Sequence, residues 1–96
     1  MRLAYADVAI DDANFPDDNF RAYIATVSFD QDQDGVLSDT EIKAVLSIHA
    51  SSKDISSLQG IEYFTALDYL DCSYNQLTSL GMSDNPNLLY LDCQNN

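Results

Sequence analysis

Positive charge is what this chain most lacks. Arg2, Arg21, Lys43 and Lys53 stand against sixteen acidic residues, and the net charge is −12. That balance argues against nucleic acid and anionic membranes as partners, because both demand clustered cations. A long apolar run is also missing, so no membrane insertion is expected, and MRLAYADVAI is too short and too polar for a signal peptide. Histidine is scarce: His49 stands alone, with no zinc spacing and no nucleophile elbow around it. It is expected to sit partly packed at the end of a helix. The three glycines form no phosphate-binding loop, and Gly60 and Gly81 read as turn residues. A carboxylate pair of the glycosidase kind would need a pocket that the sequence does not imply. The expectation is a chain that is not an enzyme. At 96 residues and 46% apolar content there is room for one small domain with a core.

The acidic residues that are present are not scattered evenly. From Asp30 to Glu41 the chain reads DQDQDGVLSDTE. Asp30, Asp32 and Asp34 occupy loop positions 1, 3 and 5, and Gly35 permits the sharp turn at position 6. Val36 offers its backbone carbonyl at position 7, Ser38 acts directly or through water at position 9, and Glu41 closes the sphere at position 12. This is the pattern of an EF-hand calcium loop. A solvated acidic turn is the plainer alternative, but it does not account for Gly35, Leu37 and Glu41 together. Four carboxylates in twelve residues also repel one another unless a cation lies between them.

Ser38 and Glu41 form a capping box, and Ile42, Val45 and Leu46 continue from it at helical spacing. Upstream, Pro16 suits a first helical turn, Asp17 and Asp18 suit its positive end, and Phe20, Tyr23, Ile24 and Val27 form an apolar stripe. That stripe is out of phase with the usual entering helix, whose apolar positions here hold Ala22, Ala25 and Thr26; only Phe29 fits. The helix is therefore expected to end near Val27 and to reach the loop through an irregular step. No second loop exists to pair with the first, so binding is expected to be weak or structural, with Kd on the order of 10⁻⁴ to 10⁻³ M as in extracellular modules. Met1 and Met82 are the only methionines and neither lies near the loop, so a methionine-lined sensor groove is not expected.

Downstream, LDYLDCSYN at 67–75 returns as LLYLDCQNN at 88–96, so Leu67, Leu70, Cys72 and Asn75 recur as Leu88, Leu91, Cys93 and Asn96. A degenerate copy lies upstream: Val45, Ile48 and Ala50 at a spacing of twenty-two residues, with Ile55 and Leu58 matching Leu77 and Leu80. The residues LDYLDCSYNQL carry the full signature of a leucine-rich repeat. A long amphipathic helix is ruled out by the breaks at SYN, SDNPN and QNN. In such a coil the leucines point inward, the asparagines turn the chain and bond the neighbouring coil, and Cys72 and Cys93 take leucine positions. The two cysteines are expected to be buried thiols in a ladder rather than a disulfide.

The alternating residues point outward: Tyr69, Asp71 and Ser73 on one strand, Tyr90, Asp92 and Gln94 on the next. They form either a ligand-binding face, with tyrosine anchors and carboxylates suited to a cationic partner, or a solvated face that reflects repeat duplication. One coil cannot bury its apolar side alone. The expectation is therefore an excised piece or truncated product lacking a C-terminal cap, with a strand edge near Tyr90 to Gln94 open to self-association.

NFPDDNFRAYI at 14–24, FDQDQDGVLSDTEI at 29–42, ISSLQGIEYFTALDYLDCSYNQLTSL at 55–80 and NPNLLYLDCQNN at 85–96 together resemble one known family. It comprises leucine-rich repeat proteins of bacterial cell surfaces whose N-terminal cap carries an EF-hand-like calcium loop. The resemblance implies an α/β leucine-rich repeat solenoid with a short parallel sheet and a helical cap, secreted or at the cell surface. It implies a calcium-stabilised cap and a non-enzymatic module for a protein or glycan ligand. The expected divisions are a tail at 1–12, a cap at 13–50 and repeats at 51–96. A dockerin-like, calcium-dependent assembly module is the alternative, although dockerins usually duplicate their loop.

Overall fold

In the computed structural model the chain is described at residues 7–26 and 28–96. Met1, Arg2, the first half of the expected tail and Val27 of the apolar stripe lie outside the described residues. The elements are β1 (Val8–Ala9), α1 (Asp18–Ile24), β2 (Val36–Leu37), α2 (Asp39–Lys43), β3 (Ser47–His49), a 3₁₀ turn (Ile61–Tyr63), β4 (Tyr69–Asp71) and β5 (Tyr90–Asp92). Strands β3, β4 and β5 form a parallel sheet in that order, and β1 pairs antiparallel with β2. Among the described residues no helix is long and apolar enough to cross a membrane.

The sheet follows the repeat spacing. Ser47 pairs with Tyr69 and Tyr69 with Tyr90, steps of twenty-two and then twenty-one residues. Ile48 and Leu70 point into the core and are fully buried, with Leu67, Ile55 and Leu58 packed around them. Leu91, the equivalent residue on β5, stays 40% exposed because β5 is the sheet edge. After each strand the chain turns through a left-handed residue, at Ser52, Tyr74 and Asn95. The next position then makes the turn rigid. Asn75 accepts hydrogen bonds from the backbone N–H groups of Lys53 and Ile55 and donates to the carbonyls of Ala50, Cys72 and Ser73. Asn96 repeats the device against Leu77, Cys72, Cys93 and Gln94. Buried backbone groups need such partners where no ladder supplies them.

Several expectations for the cap need correction. Helix α2 stops at Lys43, so it keeps Ile42 but not Val45 and Leu46, which lead into β3 instead. The Leu46 carbonyl, just before β3, accepts from the N–H groups of Asp68 and Tyr69, and the Leu46 side chain is 53% exposed. The sheet thus begins inside the segment assigned to the cap. Helix α1 begins after its N-cap Asp17, which places Pro16 outside the helix, and it ends at Ile24 with Ala25 as C-cap. Phe20 and Ile24 are buried as their spacing required. Residues 8 and 9, assigned to the tail, form β1.

Cap and repeats share a single core. Phe15, fully buried, lies with its ring centroid 6.0 Å from Phe20, 5.9 Å from Tyr63 and 6.4 Å from Phe64, while Phe29 reaches Phe64 at 6.3 Å. Asp17 links the two parts with one carboxylate. Its Oδ1 caps α1 at the N–H groups of Asn19 and Phe20, and its Oδ2 accepts from Ser56 and Ser57 at 2.8 and 3.3 Å. Desolvation alone pushes this carboxyl up, but the four backbone N–H groups outweigh it and hold the group below 3.8.

A depressed folded pKa stabilises the fold above the unfolded value and ceases to do so as pH falls through the folded one. Asp17→Asn keeps a capping oxygen but turns an amide donor toward the Ser56 and Ser57 N–H groups. The urea midpoint of the variant is expected to lie below that of the wild type by a constant amount above about pH 5, with the gap narrowing on further acidification. A gap independent of pH down to pH 2 would contradict this role for the charge.

Candidate functional site

The loop brings four acidic side chains to one point. Carboxylate oxygens of Asp30, Asp32, Asp34 and Glu41 all lie within 4.8 Å of one another. Asp30 and Glu41 are buried, whereas Asp32 and Asp34 are exposed. The backbone orients these groups. Gly35 N–H donates to Asp30 Oδ2 at 3.0 Å and Val36 N–H to Asp34 Oδ1 at 3.0 Å. Glu41 Oε1 accepts from Ser38 N–H and Oε2 from Gln31 N–H, which ties the helix start to the start of the loop. Gly35 has φ +79 and open space where a Cβ would point, so the turn there is conformational rather than a matter of close packing.

One oxygen has no partner. Asp30 Oδ1 is buried without a hydrogen bond, although Oδ2 of the same carboxylate is anchored. Leaving a buried acceptor unpaired costs on the order of 1–3 kcal/mol, more if it carries charge. The like charges around it strain the site further. Partial desolvation and then the neighbouring Asp34 push the Asp32 carboxyl up. The Val36 N–H bond chiefly holds Asp34 down, as the Ser38 N–H bond does Glu41. A hard cation with oxygen ligands is the species that would relieve both problems at once.

With no second loop to pair with, the acidic loop takes a strand partner from the N-terminal segment of the chain. Val8 pairs with Leu37 and Ala9 with Val36, and Ile10 N–H donates to Gly35 O at 3.0 Å. In an antiparallel ladder hydrogen-bonded and non-hydrogen-bonded pairs alternate, so Ala9 and Val36 form a non-bonded pair. The Val36 N–H accordingly bonds Asp34, and its carbonyl is not consumed by β1. Val8 and Leu37 are buried beneath the ribbon. A two-residue strand offers too little sequence pattern to be read in advance.

The outward face of the sheet carries two rows. Ser47, Tyr69 and Tyr90 are in register, as are His49, Asp71 and Asp92. The Tyr69 and Tyr90 rings stack with centroids 4.5 Å apart and planes within 4°. His49 has its ring 4.9 Å from Tyr69, tilted by 40°. It is therefore an exposed strand residue and not the packed helix-end residue expected; its N–H donates to Tyr23 Oη. The signal for it was the repeat spacing itself, since alternation about Ile48 sends Ser47 and His49 outward.

Contrary to expectation, Ser73 is not accessible on that face. It lies beyond the end of β4 and is 3% exposed, with its hydroxyl 2.6 Å from Asp71 Oδ1 and 3.1 Å from Ser51 Oγ. Those two Ser73 bonds hold the Asp71 carboxyl low. Gln94 stays exposed and bonds Asp92. Tyr90 is 47% exposed, and the charge of Asp92 in the first place raises its phenol pKa. Cys72 is buried and its thiol is pushed up to about 11, by desolvation first and then by Cys93. Cys93 is exposed, which corrects the expectation of two buried thiols; both are free.

No family model matches the chain. Internalin J of Listeria monocytogenes serotype 4b is 37% identical over 71 residues, covering 74% of this chain and 8% of that protein. Among solved structures, an internalin (InlF) from Listeria monocytogenes superposes with a TM-score of 0.80 at 28% identity, over 96% of this chain and 27% of that one. The functional domain of InlJ from Listeria monocytogenes, which includes a cysteine ladder, superposes with a TM-score of 0.76 at 31% identity, over 92% of this chain and 20% of that one. The chain thus spans a small part of each relative. The fold it shares with these internalins is the α/β leucine-rich repeat fold.

Proposed function

We propose that the chain is a non-enzymatic, protein-binding leucine-rich repeat module of a secreted or cell-surface bacterial protein, with an EF-hand-like cap held by one calcium ion. The binding half rests on the in-register side-chain rows of the exposed sheet face, together with the similarity to internalins. The calcium half rests on one observation, the buried and unpaired Asp30 Oδ1 beside three further carboxylates. Asp30, Asp32 and Asp34, the Val36 carbonyl, Ser38 and Glu41 would hold the ion. Glu41 Oε1 accepts one backbone bond and keeps a lone pair for a cation, while Oε2 accepts from Gln31 N–H at 2.7 Å and Asp32 N–H at 3.5 Å and would exchange the longer contact for the ion. Bound calcium would neutralise the crowded carboxylates and join the two ends of the loop. The core shared by cap and repeats favours a capping role over a separate assembly interface of the dockerin kind.

The experiment is thermal unfolding with and without calcium. Taking Kd as roughly 10⁻⁴ to 10⁻³ M, about 10 mM calcium stabilises the native state by about 1.4–2.7 kcal/mol. In a domain of this size that raises Tm by roughly 6–20 °C. Asp30→Asn is expected to abolish the rise while folding normally without metal, because it keeps an acceptor for Gly35 N–H. A wild-type Tm indifferent to calcium would sink the metal assignment and leave the repeat assignment untouched.

A further inference from the structure

We infer that the repeat face takes a basic segment of a protein, with lysine or arginine side chains laid across the Tyr69/Tyr90 and Asp71/Asp92 rows; this rests on the reading of that face as the binding surface. The packing of the rings favours a protein over a glycan. A sugar ring is held by lying flat against an open aromatic face. Here Tyr69 lies with one face against Tyr90 at 4.5 Å and 4°, and His49 tilts over it from the β3 side at 4.9 Å and 40°, so among the described residues only the outer face of Tyr90, at the sheet edge, has no ring against it. The rows present ring edges, phenol oxygens and carboxylates instead. Long alkyl stems pack along ring edges while their charged ends reach acceptors beyond.

The second row supplies those acceptors. Asp71 and Asp92 pair across adjoining parallel strands, about 4.8 Å apart at the backbone. The bonds to Asp71 from Ser73 N–H and Oγ–H both fall on Oδ1, and Oδ2 remains for a partner. A guanidinium, with five donors in a planar fork, suits two neighbouring carboxylates. Among the described residues the lysines and arginines are engaged elsewhere: Arg21 with Asp18, Lys43 with Asp39, and Lys53 over the Tyr23 ring. His49 is the basic side chain within the rows. A net charge of −12 adds long-range attraction for a basic partner.

The test uses the full chain and a short synthetic peptide of alternating arginine and serine, with a citrulline-for-arginine version as the uncharged control. Fluorescence anisotropy is expected to show binding of the arginine peptide alone. Asp71→Asn/Asp92→Asn should weaken it roughly tenfold or more, and Asp12→Asn/Asp84→Asn, which removes equal charge away from the sheet, less than about twofold. Equal losses in the two variants would mean bulk charge attraction and overturn the inference. A displayed library of neutral peptides separates the remaining cases. Neutral ligands lost on Tyr69→Ala/Tyr90→Ala would keep the face and discard the basic partner. No face-dependent ligand of any charge would discard both.

Discussion

Gly60→Ala is expected to leave little folded protein at 25 °C, although the change adds a single methyl group. Gly60 has φ +109, a conformation that side chains with a Cβ rarely adopt. The added Cβ would sit 2.8 Å from the Asn14 carbonyl oxygen and 2.5 Å from Phe15 Cε1, with Cδ1 nearer still. Neither neighbour can yield. Phe15 is fully buried among Phe20, Tyr63 and Phe64, and Asn14 is held by Tyr63 Oη and the Ala9 carbonyl. Backbone strain of about 1–3 kcal/mol and overpacking of about 1–3 kcal/mol together approach the whole stability of a small domain. Urea titration of the variant should show a collapsed or absent folded baseline. Phe15→Leu in the same chain should recover part of the loss, so the pair will be non-additive. A Gly60→Ala midpoint equal to that of the wild type would mean that cap and repeats do not meet as described.

Gly60 also marks the limit of what was legible in the sequence. As a turn residue it was readable; its place at the closest approach of two segments was not, because Phe15 lies forty-five positions away and no local pattern links them. The repeats were legible for the opposite reason. Each coil must reproduce the same inward leucines and the same turning asparagine, so recurrences at twenty-two and twenty-one residues translate directly into strand register. Ile42 lies in α2 as its spacing required, but Val45 and Leu46 do not, because three apolar residues satisfy a helical period over a span too short to distinguish a continuing helix from the approach to a strand. Pairing with β4 decided the matter.

The loop was legible because its donor types sit at fixed local positions, and the chain does gather the four carboxylates. Its ribbon partner was not, since β1 is fixed by burial of Val8 against Leu37 and not by any motif. On the sheet face, alternation predicted Tyr69, Asp71, Tyr90 and Asp92 as outward, but Ser73 is buried. The strand has already ended there, and the Ser73 hydroxyl is engaged by Asp71 and Ser51.

Asn75→Ala is expected to destabilise the fold by about 3–5 kcal/mol, far above the usual cost of removing one polar side chain. Asn75 is 5% exposed and makes five hydrogen bonds, every one to a backbone group. Alanine strands the N–H groups of Lys53 and Ile55 and loosens the carbonyls of Ala50, Cys72 and Ser73, and each unsatisfied buried group costs about 1–3 kcal/mol. The turn that Asn75 holds follows directly on the strand bearing Tyr69 and Asp71, so the outward sheet face should lose its register together with stability. Asn96 provides the internal control. It makes the same kinds of bond to Leu77, Cys72, Cys93 and Gln94, but it is exposed and water can replace it. Asn96→Ala should therefore cost no more than about 1 kcal/mol. Urea midpoints for the two variants test the argument: similar losses at both sites would show that burial is not what makes the asparagine essential, and that the coil is held by its leucines alone.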